Sequence, residues 1–399
     1  MKKLTTLFLL YFITNFAHAN YSWQQLTPLP STGRVGVAGF SLGNKLYYGN
    51  GDYNASIQYN DIWQFDPATN SWSQMASLPG SLTRVSACAF SVNGFGYMGL
   101  GWNRFANAVA LFDFYKYDPS LNSWTAIAQY PGTSVFNASS FVIGNMAYVG
   151  LGGSGNTSMY KYDPMNDVWT SIANYPGSSG QSSVAFSVNG YGYVFGGWDG
   201  SSAVNELWSY NPSGNSWSQK TSAPISGISP TAFVIDGYAF VGAGALGNQG
   251  GQVDFYQYYP TIDAWSNAPA FPGLPLAGFR GTVIGNTAYA FGGGDPNINF
   301  YNNQLWKFEN ASSIAEPSES PINVFYNAFN HSLEIRSLDN KNIKLNLFAM
   351  TGQKIINDEI VASTSMVSLS SFNLKPGYYL YSILDKNNSL LSSSKIFIY

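Results

Sequence analysis

Tryptophans recurring every 45 to 52 residues, a charged fraction of only 10%, and Gly-Asn or Asn-Gly pairs between short apolar runs predict an all-β chain. The expected fold is a six-bladed β-propeller followed by a small Ig-like β-sandwich. The repeat is clearest at Trp72, Trp124, Trp169, Trp217 and Trp265. Each closes an Asn/Asp-x-Trp triplet such as Asn122-Ser123-Trp124, and each follows an aromatic-x-Pro turn such as Tyr117-Asp118-Pro119. Aromatics at 17% and 41 glycines fit large buried rings joined by tight turns and argue against disorder.

Each unit reads as four strands. In the first, residues 35–42 form strand one, Asn44-Lys45 its turn and residues 46–49 strand two; 61–66 form strand three, and 71–76 strand four after the Pro67–Asn70 turn. Proline sits in turns, where its missing N–H costs nothing. The sixth unit carries Gly285-Asn286, Gly292-Gly293 and Leu305-Trp306-Lys307-Phe308 but stops without its Ser-Trp strand. That strand stands at the other end of the chain, Tyr21-Ser22-Trp23, so residues 21–27 are expected to close blade six and leave no radial edge unpaired. The repeat tryptophans are expected between blades as structural residues, where burying one large ring contributes at most about 4–6 kcal/mol.

These features resemble the kelch repeat over roughly residues 21–310. The paired glycines of that family are full as Gly152-Gly153, Gly196-Gly197 and Gly292-Gly293, and degenerate around Asn50, Leu100 and Ala243. The aromatic seven residues before each tryptophan is Phe65, Tyr117, Tyr162, Tyr210 or Tyr258. Arg34 and Arg84, six residues before Phe40 and Phe90, hold the position where this repeat usually carries arginine.

Beyond a polar linker at 311–321, the repeat gives way to period-two alternation over 322–399, for example Ile343-Lys344-Leu345-Asn346-Leu347. This tail resembles the C-terminal sorting domain of the type IX secretion system. The resemblance is carried by Leu347–Lys354 with its Thr351-Gly352 turn, by Leu374-Lys375-Pro376-Gly377-Tyr378, and by the final strand Lys395–Tyr399; Tyr326 and Ala328 replace two prolines of the family pattern. It implies export across the outer membrane, with the type IX machinery as partner. An accessory β-domain without a transport role is the alternative.

The first 19 residues read as a secretory signal: Lys2 and Lys3, the apolar stretch Leu7–Ile13, and Ala17-His18-Ala19 as cleavage site. Its removal takes the formal net charge from −3 to −5. With no basic stripe, nucleic-acid binding is not expected. A secreted or cell-surface location follows as the expectation. Cys88 is the single cysteine, so no intrachain disulfide can form, and its apolar run suits a core thiol.

Both histidines, His18 and His331, lie outside the propeller. That excludes a copper-radical oxidase of the galactose-oxidase kind, which needs histidine ligands, and excludes histidine triads in the ring. No cofactor and no metal are expected. Asp52, Asp199, Glu206 and Asp295 are the loop carboxylates available to an enzyme; hydrogen bonds within loops are their plainer use. Five residues are candidates for ligand contact. Arg34, Arg84 and Arg280 occupy one arc of the ring and could form an arginine-bearing channel mouth, or else tie down carbonyls and acids. Trp102 and Trp198 follow the glycine pairs and could stack on sugar rings, or else pad blade edges. The reading is an exported binding module for a protein or carbohydrate; the alternative is a sugar-modifying enzyme of the sialic-acid mutarotase kind.

Overall fold

Two-residue turns that demand positive φ dictate the hairpins. Asn93-Gly94, Asn189-Gly190 and Asp236-Gly237 all adopt φ between 53° and 79°, the left-handed pair whose twist matches that of the flanking strands. A computed structural model describes residues 21–310 except 55, 81–82, 106–107, 134–135, 154, 179, 247–249 and 296–299. It also describes residues 322–398 except 328–330, 338–342, 350–352, 362–363 and 385–389. The segment 1–19, the linker 311–321 and the Thr351-Gly352 turn lie outside the described residues.

The chain divides into two units, residues 1–311 and 312–399. The described part of the first is all-β: five four-stranded antiparallel sheets and a sixth that adds the short strand Phe300–Tyr301 to the same four-strand order, a kelch-type propeller. Blade one runs outward through Ala38–Leu42, Lys45–Gly49, Ile62–Asp66 and Ser71–Met75. The inner strands of blades two to six are Cys88–Val92, Ser139–Ile143, Val184–Val188, Thr231–Ile235 and Ala277–Ile284. In blade six the outermost strand is Tyr21–Gln25, paired antiparallel with Leu305–Asn310 so that Trp23 faces Phe308. The first turn of blade one is Gly43-Asn44, one residue earlier than expected, because Lys45 already pairs with Leu42. Its inner strand starts at Ala38 and not at Val35, because Gly36 is left-handed (φ 62°) and interrupts the ladder.

The glycine pair of the repeat is a pair of left-handed residues. It is Asn50-Gly51, Leu100-Gly101, Leu151-Gly152, Gly196-Gly197, Ala243-Gly244 and Gly292-Gly293, all with positive φ. In blade three the pair is therefore Leu151-Gly152, one residue before the expected Gly152-Gly153. The second position is glycine each time. A Cβ on Gly101 would lie 2.7 Å from the Val85 carbonyl oxygen, so only glycine fits.

Blades hold one another through the tryptophans. The indole N–H of Trp72, Trp124, Trp169, Trp217 and Trp265 donates to the carbonyl of Thr27, Ala76, Ala128, Ala173 and Thr221 respectively, at 2.8–3.0 Å. The backbone N–H of each same acceptor residue donates in return to the Asn or Asp two before the tryptophan: Asn70, Asn122, Asp167, Asn215 or Asp263. The repeat's Asn/Asp-x-Trp is thus a two-pronged clasp on the preceding blade. At the blade five–six junction Trp23 donates to Pro269, which has no N–H to return, and Tyr21 replaces the Asn. Tyr21 donates instead to Asp236 at 2.9 Å, and Asn286 also binds Asp236.

The second unit packs a three-stranded and a four-stranded sheet over one core of Leu333, Leu345, Leu347, Ile356, Val367, Leu369, Ile383 and Ile398. It is a small β-sandwich. No helix among the described residues is long and apolar enough to cross a membrane.

Candidate functional site

Two residues before the regular inner strand of blades one to five, and at the corresponding place in blade six, the backbone turns left-handed: Gly36, Ser86, Asn137, Ser182, Ser229 and Gly278 all have φ between 50° and 69°. Four backbone bonds run from blade to blade along this ring: Ser86 N–H to Gly36, Asn137 to Ser86, Ser229 to Ser182 and Gly278 to Ser229. Between blades three and four the Asn137 side chain bridges to the Ser182 hydroxyl at 3.0 Å. An L-residue held left-handed costs roughly 1–2 kcal/mol, and the inter-blade bonds offset it. All six residues line a cavity of about 510 Å³ on the propeller axis, a size suited to a small ligand.

Among the described residues, three charged side chains line it: Asp52, Arg104 and Arg280. Arg280 projects from the inner strand of blade six. Its Nε donates to the Val37 carbonyl at 3.3 Å, and among the described residues no carboxylate pairs with it. Burial pulls the guanidinium below the ordinary arginine value, with the neighbouring Cys88 and Tyr48 opposing that shift; it remains a cation.

Arg104 and Asp52 come from two short hairpins beside the cavity. Blade one carries Asp52–Tyr53 against Ile57–Gln58; blade two carries Trp102–Asn103 against Val109–Ala110. The Gln58 side chain locks them together, donating to the Trp102 carbonyl at 3.2 Å and accepting from the Arg104 N–H at 2.9 Å. The Arg104 Nε lies 3.1 Å from Asp52 Oδ2; the arginine side chain is 39% exposed and the aspartate 2%. Trp102, Phe136 and Tyr301 supply aromatic surface, and Ser183 and Thr231 add hydroxyls.

Of the five expected contact residues, the structure brings Arg280 and Trp102 to this cavity. Arg34 and Arg84 are corrected: both are fully buried and do not line it. Arg34 is paired with Asp61 at 2.6 Å and stacked on Tyr59; Arg84 meets Asp113 through two bonds of 2.8 Å. Each also donates to a carbonyl of its glycine pair, Asn50 or Leu100. They pin the left-handed pairs from within, a use their shared repeat position already suggested. Trp198 occupies the blade-four counterpart of Trp102, bridging to Gln181, but does not line the cavity.

The other carboxylates are engaged in loops. Asp199 caps its own turn by accepting from the Ser202 and Ser201 N–H groups, which hold its pKa down at about 2. Glu206 accepts from Ser178 N–H and Trp208 Nε1, each at 3.0 Å. Asp295 ends the second strand of blade six and is not part of the lining. Sequence reasoning passed over Arg104. Its signal was scarcity: it is one of four arginines in the propeller, and it stands two residues from Trp102.

Comparison with known proteins agrees with this architecture. A family model described as N-acetylneuraminate epimerase matches residues 129–249, which span blades three and four and the first part of blade five. The mouse protein Kelch-like protein 35 is 30% identical over 133 residues, 33% of this chain; the chain spans about a fifth (21%) of that relative's length. The solved structure of YjhT superimposes with a TM-score of 0.59 at 14% identity, covering 70% of this chain and 95% of that one. The first unit has the fold of a kelch-type β-propeller.

Proposed function

We propose that the propeller is an exported binding module whose axial cavity takes a small carboxylated ligand, an acidic sugar, with Arg280 as the anion contact. The observation that carries this is the Arg280 guanidinium, set in the cavity wall with a single weak bond to Val37 and no carboxylate partner among the described residues. A desolvated cation of this kind gains most from an incoming carboxylate, which it can engage through a pair of parallel hydrogen bonds. Trp102, Phe136 and Tyr301 offer faces for a sugar ring, and Ser86, Asn137, Ser182 and Ser183 offer partners for its hydroxyls. Calorimetric titration with N-acetylneuraminate, glucuronate and glucose tests the reading. The acids bind, glucose does not, and Arg280→Ala abolishes binding while thermal melting stays cooperative. Equal affinity for glucose, or full affinity in the Arg280→Ala protein, overturns it.

A second reading, that the cavity catalyses interconversion of sialic-acid forms, is favoured by the match of residues 129–249 to the epimerase family model. Opening and reclosing a sugar ring needs a proton taken from the anomeric hydroxyl and one delivered to the ring oxygen. Asp52 is the carboxylate of the lining among the described residues. Acceleration of anomer equilibration in N-acetylneuraminate, followed by NMR and lost in Asp52→Asn, supports this; an unchanged rate with bound ligand leaves the protein a binder.

Export rests on the signal-like residues 1–19 and on the tail's resemblance to the type IX sorting domain, with a secreted or surface destination and the type IX machinery as partner. In a host that possesses that system, deletion of 322–399 leaves the propeller in the periplasm. Appearance of the truncated protein in the medium refutes the sorting role.

A further inference from the structure

The charged lining does not treat its two arginines alike. Arg280 stands without a carboxylate, whereas Arg104 is held at the hairpin lip by the nearly buried Asp52. The closest approach of this ion pair is Nε to Oδ2, at 3.1 Å. The terminal Nη1 and Nη2 of Arg104 make no hydrogen bond to any described residue, and the side chain is 39% exposed. Held beside Asp52 by this ion pair and with its guanidinium carbon 5.6 Å from the Trp102 ring centroid, the arginine presents its terminal nitrogens as a fork. The backbone beneath is equally fixed, since Gln58 clamps the Arg104 N–H and the Trp102 carbonyl together.

Charge counting then separates what the cavity accepts. Two arginines and one aspartate leave a single net positive charge among the described lining residues. We infer that Asp52 is the charge-selectivity and positioning residue of this cavity: it sets the site to take ligands of one negative charge, and it aims the Arg104 fork at the neutral acceptors of such a ligand. A ligand with a second anionic group would meet Asp52 beside Arg104 with too little positive charge left to match it. This rests on the anionic-ligand reading above and names the charge class within it.

The test compares glucuronate with glucuronate 1-phosphate, the same ring with a phosphate added, titrated into the chain from Asn20 to Tyr399. The native protein prefers glucuronate. Asp52→Asn keeps the side-chain shape and removes the charge; it shifts the affinity ratio about tenfold toward the phosphorylated acid, because Arg104 is then uncompensated. Arg104→Gln shifts the ratio about tenfold the other way; if Asp52→Asn does not fold, Asp52→Ser takes its place with the same expected shift. The double variant returns the ratio to near its native value, because the two charge changes cancel; a shift in Asp52→Asn caused by structural damage would not be reversed by Arg104→Gln. A ratio within twofold of native in Asp52→Asn or Arg104→Gln, while glucuronate binding still depends on Arg280, overturns this inference alone. Absence of binding to either acid by the native protein overturns both this inference and the reading beneath it.

Discussion

The indole nitrogen of Trp124 donates to the Ala76 carbonyl at 2.8 Å, joining blade two to blade one, and the Ala76 N–H answers to Asn122 at 2.9 Å. Asn122 also accepts from the Tyr117 hydroxyl at 2.8 Å. One side chain thus gathers the aromatic, the turn and the neighbouring blade.

Asn122→Ala removes two of these bonds and is expected to cost about 2 kcal/mol, from the loss of two hydrogen bonds of roughly 1 kcal/mol each. Trp124→Phe removes the other prong and part of the ring, and is expected to cost about 2–3 kcal/mol. Urea unfolding checks both. A loss in Asn122→Ala below about 0.5 kcal/mol would remove the clasp as a source of stability.

Closure of the ring relies on Tyr21 and Trp23. Trp23 packs against Phe233, Phe255, Phe271 and Phe308. Trp23→Ala should cost about 3–5 kcal/mol, and deleting residues 21–27 should cost cooperative unfolding itself, because it bares the edge of Leu305–Asn310. Differential scanning calorimetry checks this; a deletion protein that melts like the intact chain contradicts the closure.

Arg84 and Asp113 form a pair with one buried end. Burial would raise the Asp113 pKa, but the Arg84 guanidinium overrides it and holds the carboxyl below its usual range. A carboxyl whose pKa is depressed by folding contributes stability above its unfolded value near 4 and loses it as pH falls through the folded value. The stability advantage of the native protein over Arg84→Met should therefore be full at pH 6 and shrink below pH 4. Acidic-sugar binding should be the same in both proteins, since Arg84 does not reach the cavity.

Cys88 lies buried on the inner strand of blade two, and burial raises its thiol to about 11, against weaker lowering by Ser140 and Arg280. At pH 8 the native protein should not react with a thiol reagent on the time scale of minutes, while the urea-unfolded chain reacts at once. Fast native labelling would mean that the inner strand opens.

Much of the ring was legible in the chain because its rules are local. A tryptophan two residues after an Asn or Asp, a turn that needs left-handed backbone, and a missing last strand whose partner stands at the start are all statements about neighbours in sequence. The fate of the arginines was not local. Arg34 and Arg84 share a repeat position, and the repeat told that they act alike, yet not that Asp61 and Asp113 would face them across the blade.

By itself, the sequence determined an all-β repeat, the number of units, and the absence of histidine from the ring; these depend on residue type and spacing alone. Only the tertiary structure decided which cations are spent on the scaffold and which face the cavity. Burial and ion pairing depend on residues brought together from distant places, such as Arg280 beside Val37 and Arg104 beside Asp52, and no spacing in a single chain encodes those distances.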